Sequence, residues 1–482
     1  METFLLYSLG LVLSWAAAFA IRSLRFRQLI LLLVSYALYI TWGKWFLLSL
    51  LASSLVNYGL GQYLRRRTSG GRLWLGIGFN LIFLGVFKYF PALASSAPSH
   101  SILAGFQHIV MPLGVSFWTF QAISFHYEIY RGEEVDPSLL EFCLYMAFWP
   151  TVISGPICRL SSLLPQLRRK DPPSWDDLSA GAPRIGTGLL MLGLARVLAA
   201  GLGPGQGVDA GFARLSGNWS GIDVWFLAVG YGFNLFFDFA GYSSLVIGAA
   251  RLCGFELPEN FNRPYLSTTP SVFWTRWHMS LSFWIRDFLF VPLASVRRSL
   301  WWRNFALFLS MVLFGLWHKG TLLFLIWGAL QGLLLVLHRQ WQKLRKDFRL
   351  NISPVVLTPL GWLLTFAGIS VGWIFFRSTS LHQAGAMVKA LVTPAGYLHR
   401  HLPVQFYVLT AGAALGYFAV VAATDLLTRI ERNPSSPSAL RAVLRERWVW
   451  LAPGIAAAAV YGYVITEIQQ TSLSSAFLYR LF

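Results

Sequence analysis

A histidine set in an apolar wall is the feature of this chain that points most directly to chemistry. His318 ends the run LFGLWH, and apolar residues continue on both sides of that run. An ionisable side chain at membrane depth loses its hydration, which costs free energy unless the group has a partner or a task. We therefore expect His318 to face an interior cavity and to act there.

A second histidine, His278, lies in the densest polar segment of the chain, residues 270–293. At 100° per residue on one continuous helix, this segment has a polar stripe and an aromatic face. The stripe holds Ser271, Thr275, His278, Ser282 and Arg286, and the opposite face holds Phe273, Trp277, Leu281, Trp284 and Phe288. Such a helix either lies flat at the membrane interface or lines a water-filled cavity inside the protein.

An isolated carboxylate, Asp238, lies in the apolar run FFDFAGY. A buried carboxylate needs a cationic partner, and Arg251, Arg276 and Arg286 are the candidates. Buried carboxylates are more often paired than catalytic, so a structural role is the simpler interpretation. We expect Asp238 and Asp287 to belong to a supporting polar network. Arg276 and Arg286 are its expected cations.

The elements that must position these groups are membrane helices. The chain is 56% hydrophobic and only 12% charged, with a mean hydropathy of +0.55 over 482 residues. Its apolar runs are long enough to span a bilayer and too continuous for barrel strands, which predicts an all-α, polytopic membrane protein. The runs are 4–21, 28–42, 45–64, 73–90, 139–157, 185–203, 222–253, 303–317, 321–337, 354–376, 404–423 and 448–466.

Charge, cysteines and motifs exclude several classes of function. The net charge of +19 comes from short basic clusters between apolar runs, which is typical of cytoplasmic membrane loops and not of a nucleic-acid groove. Three cysteines lack metal-ligand spacing, and the sequence contains no Walker loop, G-x-S-x-G or H-E-x-x-H motif. No linker divides the chain, so we expect residues 1–482 to form a single integral membrane domain without a bound metal.

One long stretch resembles a known family. FNLFFDFAGYSSLVIGAARLCGFELPENFNRPYLSTTPSVFWTRWHMSLSFWIRDFLFVPL, from Phe233 to Leu293, resembles the signature of membrane-bound O-acyltransferases, most closely the alginate O-acetyltransferase type. The resemblance extends to MPLGVSFWTFQAISFHYEIYRGE, SGPICRLSSLLPQL, LFGLWHKG and GWIFFRS. It covers residues 109–340, which we take as the acyltransferase signature core.

The resemblance implies many helices around a central funnel, in a multi-pass protein of a bacterial inner membrane. It implies that His318 is at the reacting centre and that His278 occupies the second polar signature position. The family transfers an acyl group from a cytoplasmic thioester to a hydroxyl, so acetyl-CoA is the expected donor substrate. The lipid bilayer and an extracytoplasmic transferase or polysaccharide-export protein are the expected partners. No bound cofactor is expected.

The residues fit acyl transfer independently of the resemblance. Attack of a hydroxyl on a thioester needs a base, and an imidazole that titrates near neutrality suits that task. His318 is the expected base, while His278 or Arg276 is expected to donate hydrogen bonds to the oxyanion. A direct attack needs no covalent intermediate, although a route through a nucleophile stays open.

Some positions depart from the family pattern. Lys319 stands between His318 and Gly320, where a glycine usually follows the histidine, and Gln331 stands where a further histidine is common. The chain also has Ala294-Ser295-Val296-Arg297 in place of a Gly-Gly-Asn-Arg turn. These changes leave the acceptor and the partner surface open.

Two other classes stay open from the sequence alone. A transporter or channel also uses buried polar residues, in that case to bind cargo. A structural subunit that anchors a polysaccharide-export complex is the other alternative, with its histidines serving only as satisfied core groups.

Overall fold

The protein is all-helical. The computed structural model describes residues 2–95, 109–203, 205–214 and 219–432. The helices in these ranges are α1 (Glu2–Ala20), α2 (Leu24–Ile40), α3 (Lys44–Arg66), α4 (Gly70–Lys88), α5 (Phe90–Ser95), α6 (Val115–Tyr130), α7 (Leu139–Ala147), α8 (Leu160–Leu167), α9 (Trp175–Ala200), α10 (Val208–Ala213), α11 (Gly221–Leu252), α12 (Pro270–Trp274), α13 (Met279–Ile285), α14 (Val291–Ser295), α15 (Leu300–His318), α16 (Leu322–Asp347), α17 (Pro354–Arg377), α18 (Leu381–Val392) and α19 (Val404–Arg432). The predicted all-α fold is confirmed.

Among the described residues, seven helices are long and apolar enough to cross a membrane. They are α4, α9, α11, α15, α16, α17 and α19. The prediction of a polytopic membrane protein is confirmed, and the predicted runs 4–21, 28–42 and 45–64 correspond to α1, α2 and α3. The run 448–466 lies outside the described residues, and the central funnel stays a prediction.

The predicted run 139–157 is wrong as one continuous span. Its helix, α7, ends at Ala147, and turns follow. Pro150 has no backbone N–H to continue a helix. A Cβ on Gly155 would lie 2.2 Å from the carbonyl oxygen of Pro150, so only glycine permits the tight return of the chain at this point.

The apolar runs predicted from hydropathy do not include α6, because polar residues interrupt its sequence. All but two of its 16 residues are buried. Its histidine, His126, places Nε2 2.8 Å from Oδ1 of Asn57, and Asn57 and Asn80 exchange further side-chain hydrogen bonds. Hydrogen bonding offsets the cost of burying these groups, so polar residues hold α6 against α3 and α4.

Contacts divide the chain into two compact units. The first comprises Met1–Ile185 and Ser243–Glu259, and the second comprises Gly186–Tyr242 and Asn260–Phe482. In the first unit, α6 packs against α3 and α4, while α2 packs against α7. In the second unit, α15 and α16 form the most extensive helix pair, and α16 also packs against α17.

Two glycines bring the backbones of α15 and α16 together. A Cβ on Gly315 would lie 2.2 Å from the carbonyl oxygen of Phe324, and one on Gly328 would lie 2.4 Å from that of Met311. Close-packed small residues are a common basis for helix association in membranes. This contact lies one turn before His318 and therefore fixes the end of α15.

The first turn of α7 contains a titratable capping box. Ser138 donates its backbone N–H to Glu141 over 2.7 Å, and Arg168 donates from Nε to the same carboxylate over 2.7 Å. Burial alone raises the pKa of Glu141, but the hydrogen bonds from Arg168 and Ser138 outweigh it and lower this pKa to about 2. The ionised carboxylate therefore stabilises the folded state.

We expect Glu141→Gln to lower the stability of the purified protein at pH 7 by about 1–2 kcal/mol, because the cap and the ion pair are both weakened. The folded pKa is below the unfolded value, so the stabilisation is complete above about pH 4.5 and declines towards pH 2. Melting temperatures in detergent across this range measure the effect. The control is Glu256→Gln at an exposed ion pair with Arg251, and a pH-independent deficit in Glu141→Gln contradicts the assignment.

Candidate active site

The two histidines singled out in the sequence line one cavity in the second unit. The cavity is narrow, about 20 Å³, with room for about one water molecule. Apolar and aromatic side chains form the rest of its wall. The lining residues are Leu235, Phe239, Trp277, His278, Phe314, His318, Trp327, Trp373 and Phe376. They come from α11, α15, α16, α17 and the turn between α12 and α13.

His318 is the last residue of α15 and is buried among aromatic rings. Its ring centroid lies 4.6 Å from that of Phe314 and 5.3 Å from those of Trp327 and Phe376. The next residue, Lys319, leaves the helix in an extended conformation and is exposed. The helix end therefore separates the buried imidazole from the cationic side chain that follows it.

His278 has a strained backbone. Its φ of 43° and ψ of 53° place it in the left-handed region, which residues other than glycine and asparagine rarely adopt. The ring contacts Phe239 edge to face at 4.6 Å between centroids, and the residue is 2% exposed. Burial lowers the pKa of His278, so the neutral imidazole is the form present at neutral pH.

A short backbone pairing holds His278 in this conformation. Phe261 and Trp277 form an antiparallel bridge. The backbone N–H of Asn262 donates to the carbonyl oxygen of Arg276 over 3.0 Å, and that of Met279 donates to the carbonyl oxygen of Asn260 over 2.9 Å. These bonds fix the chain on both sides of the histidine.

The continuous amphipathic helix predicted for residues 270–293 is wrong. The segment forms α12, a turn, α13, a π-helical stretch at Arg286–Phe290 and α14. The pairing of Trp277 with Phe261 takes the backbone out of the helix just before His278. As a result His278 is buried, whereas Ser271, Thr275 and Arg286 of the predicted polar stripe are exposed. His278 shares its environment with the aromatic residues instead.

The expected arginine partners of Asp238 are also corrected. Arg251, in the last turn of α11, pairs in the first unit with Asp177, in the first turn of α9, over 3.1 Å. Both residues lie outside the cavity lining. Arg286 pairs with its neighbour Asp287 over 2.7 Å.

Asp238 is buried on α11, and its favourable charge interaction comes from Arg196 on α9. Neither Asp238 nor Arg276 lines the cavity, and the same holds for the Arg286 and Asp287 pair. The cavity is therefore lined by both histidines, while the four residues of the predicted supporting network lie outside its lining.

The cavity wall contains a buried donor that the sequence did not single out. Trp327 is 1% exposed, and its indole N–H has no hydrogen-bond partner among the described residues. Gln331, one turn further along α16, is equally buried and packs against Gly372 of α17. Tryptophans recur along this sequence, and Trp373 also lines the cavity with a buried indole N–H that has no hydrogen-bond partner among the described residues. Trp327 differs in that its ring packs against His318. Within the described ranges, no cluster of three His, Cys, Asp or Glu side chains offers a metal site.

Asn260 is the second residue that sequence analysis missed. Its side-chain Oδ1 lies 3.4 Å from Nδ1 of His278 and accepts a 2.6 Å hydrogen bond from the hydroxyl of Ser280. The residue is fully buried. In the sequence, Asn260 could have been noticed only through its position in ENFNRP, a group of polar residues inside the signature stretch.

The sequence matches the family model for membrane-bound O-acyltransferases over residues 106–378. It is 35% identical over 379 residues to the probable alginate O-acetylase AlgI of Pseudomonas aeruginosa, covering 76% of this chain and 70% of that protein. It is 29% identical over 412 residues to a peptidoglycan O-acetyltransferase of Helicobacter pylori, covering 78% and 76%. A teichoic acid D-alanyltransferase of Streptococcus thermophilus is 31% identical over 294 residues, covering 56% and 69%. Both cavity histidines lie within the matched range.

We expect His278→Asn to fold nearly as well as the wild type, because asparagine tolerates the left-handed backbone, and His278→Val to be less stable by about 1–3 kcal/mol. Melting temperatures of both variants in one detergent measure the difference. Equal stability of the two variants would show that the left-handed conformation of residue 278 is not maintained.

Proposed function

This chain belongs to the membrane-bound O-acyltransferase family and is an O-acyltransferase, and from that premise we propose its substrates and mechanism. The donor is cytoplasmic acetyl-CoA, and the acetyl group crosses the membrane to hydroxyls of an exported polysaccharide or a partner protein. The proposed setting is a bacterial inner membrane, with an extracytoplasmic transferase or export protein as partner. The observation that carries the proposal is that His278 and His318 line the same cavity.

The relatives favour acetyl as the transferred group. Two of them have names that describe acetyl transfer, and these align with 76% and 78% of this chain. The relative named as a D-alanyltransferase aligns with 56%. Alginate and peptidoglycan are both polymers with hydroxyl groups, which supports an envelope polymer as the final acceptor.

His318 is proposed as the base. A nitrogen of its ring accepts the hydroxyl proton while the oxygen attacks the thioester carbonyl carbon. The tetrahedral intermediate collapses with cleavage of the C–S bond, and the imidazolium returns the proton to the departing thiolate. The aromatic wall leaves room for about one water molecule, which limits hydrolysis of the thioester. Because the cavity is narrow, the aromatic side chains of its wall must shift when substrates enter.

Trp327 is proposed to stabilise the oxyanion. Its buried indole N–H is a donor, and its ring is in edge-to-face contact with His318 at the cavity. A fixed donor in a dry site stabilises developing negative charge more strongly than water does. Trp327 takes this role in place of Arg276, which does not line the cavity.

Membership of an acyltransferase family decides between the classes that the sequence left open. A transporter or a purely structural subunit needs no base at the cavity, whereas acyl transfer does. This chain departs from the family pattern at Lys319 and Gln331, and these differences concern the identity of the acceptor. They leave both cavity histidines in place.

We expect His318→Ala to reduce acetyl transfer by about 10²- to 10⁴-fold, because the base is lost. Membrane vesicles containing the protein receive labelled acetyl-CoA, and base-labile label in the envelope polymer fraction is measured. His382→Ala is the matched control, since His382 is an exposed histidine on α18. Wild-type transfer by folded His318→Ala protein would overturn the assignment of the base.

We expect Trp327→Phe to lower kcat by about 10²- to 10³-fold with little change in the KM for acetyl-CoA, because an aromatic ring is kept at this position and the N–H is lost. Trp274→Phe is the control. The indole N–H of Trp274 also has no partner among the described residues, but this residue does not line the cavity. Equal effects of the two substitutions would argue against an oxyanion donor at Trp327.

A further inference from the structure

The side chain of Asn260 contacts His278, one of the residues that line the cavity. It lies at the start of the backbone pairing that precedes α12, 18 positions before the histidine. The carboxamide is fully buried, and its backbone carbonyl oxygen accepts from the N–H of Met279 over 2.9 Å. Both the main chain and the side chain of Asn260 therefore contact the turn that contains His278.

The geometry identifies the carboxamide atom that faces the histidine. The contact between Asn260 and the hydroxyl of Ser280 is 2.6 Å long. This distance suits an O–H···O bond and is shorter than an amide N–H···O bond normally is. The atom at this position is therefore the amide oxygen, which accepts from Ser280 and also faces Nδ1 of His278 at 3.4 Å.

An amide oxygen can only accept, so it favours the imidazole form in which Nδ1 bears the hydrogen. A carbonyl oxygen has two lone pairs, which is enough for both Ser280 and His278. With the proton on Nδ1, Nε2 keeps its lone pair. In histidines generally, the bond made by one ring nitrogen sets the function of the other.

We infer that Asn260 is the positioning residue of His278, holding its imidazole in the Nδ1–H form so that Nε2 is a hydrogen-bond acceptor at the cavity. His278 then orients the acceptor by accepting a hydrogen bond from a second hydroxyl of the acceptor, while the reacting hydroxyl gives its proton to His318, and His278 does not donate to the oxyanion. This role of His278 rests on the proposed acetyl transfer, whereas the assignment of its ring tautomer is independent of that proposal. The contact is long, so it orients the ring without making it strongly basic.

The tautomer is measured directly by solid-state NMR of the full-length protein in lipid vesicles, with ¹⁵N-labelled histidine. The His278 signals are assigned by their loss in His278→Asn. We expect the Nδ1–H form in the wild type and a change in its population in Asn260→Leu, which removes the amide oxygen at similar size. An Nε2–H wild-type ring, or an unchanged ring in Asn260→Leu, overturns the inference.

Kinetics with labelled acetyl-CoA test the functional consequence. We expect Asn260→Leu to lower kcat by about 10²-fold at an unchanged KM for acetyl-CoA, because the misoriented imidazole no longer positions the acceptor. Asn260→Asp keeps an acceptor oxygen and restores most of the loss. The control is Asn304→Leu, a buried asparagine of α15 outside the cavity, which leaves kcat unchanged.

The outcomes separate this inference from the proposed function. If Asn260→Asp is as inactive as Asn260→Leu, the amide is needed as a donor and the inference fails while acetyl transfer stands. If kcat falls only in proportion to the amount of folded protein, Asn260 serves the fold alone. If the wild type transfers no acetyl group, the proposed donor is wrong, and the NMR result still decides the tautomer.

Discussion

The backbone pairing between residues 260–262 and 276–279 is the constraint on which the cavity depends. It interrupts what would otherwise be one amphipathic helix and forces His278 into the left-handed region of conformational space. A helix would have placed this imidazole in line with exposed polar groups. The pairing instead directs the imidazole of His278 into a cavity lined by aromatic side chains. Strain of this kind persists only where surrounding bonds hold it, and here main-chain hydrogen bonds on both sides do so.

Close packing of α15 against α16 positions His318. Gly315 and Gly328 allow the α15 and α16 backbones to meet, and the imidazole follows one turn later at the helix end. Its neighbours Phe314 and Trp327 come from the two helices of this pair. One histidine is thus fixed by a strained turn and the other by close helix packing. Because neither lies on a free loop, backbone contacts set the relative placement of the two histidines.

The helical class was predictable from the sequence, and the sequence also singled out His278 and His318 as candidate site residues, although it did not give the distance between them. Long apolar runs have few stable alternatives in a bilayer, and buried imidazoles are expensive enough to stand out. Local periodicity failed where non-local contacts decide the backbone, as at Trp277, whose partner Phe261 is 16 residues away. It also failed for α6, because buried hydrogen bonds make a polar helix acceptable in the interior.

The roles of Asn260 and Trp327 were out of reach for the same reason. An indole N–H and a buried amide oxygen become candidates for a role only when the fold places Trp327 in the cavity wall and Asn260 against His278. Asp238 shows the same dependence, since its favourable charge interaction comes from Arg196 on α9 and not from the three arginines proposed from the sequence. Charge complementarity in a helical protein depends on packing, which spacing along one helix does not reveal.

We propose that His318 supports acetyl transfer to an envelope polymer. Mass spectrometry of envelope polymers from cells producing equal amounts of wild-type or His318→Ala protein tests this role. We expect one class of ester-linked acetyl group to be present with the wild type and absent with the variant. An identical set of polymer esters in both strains would contradict it.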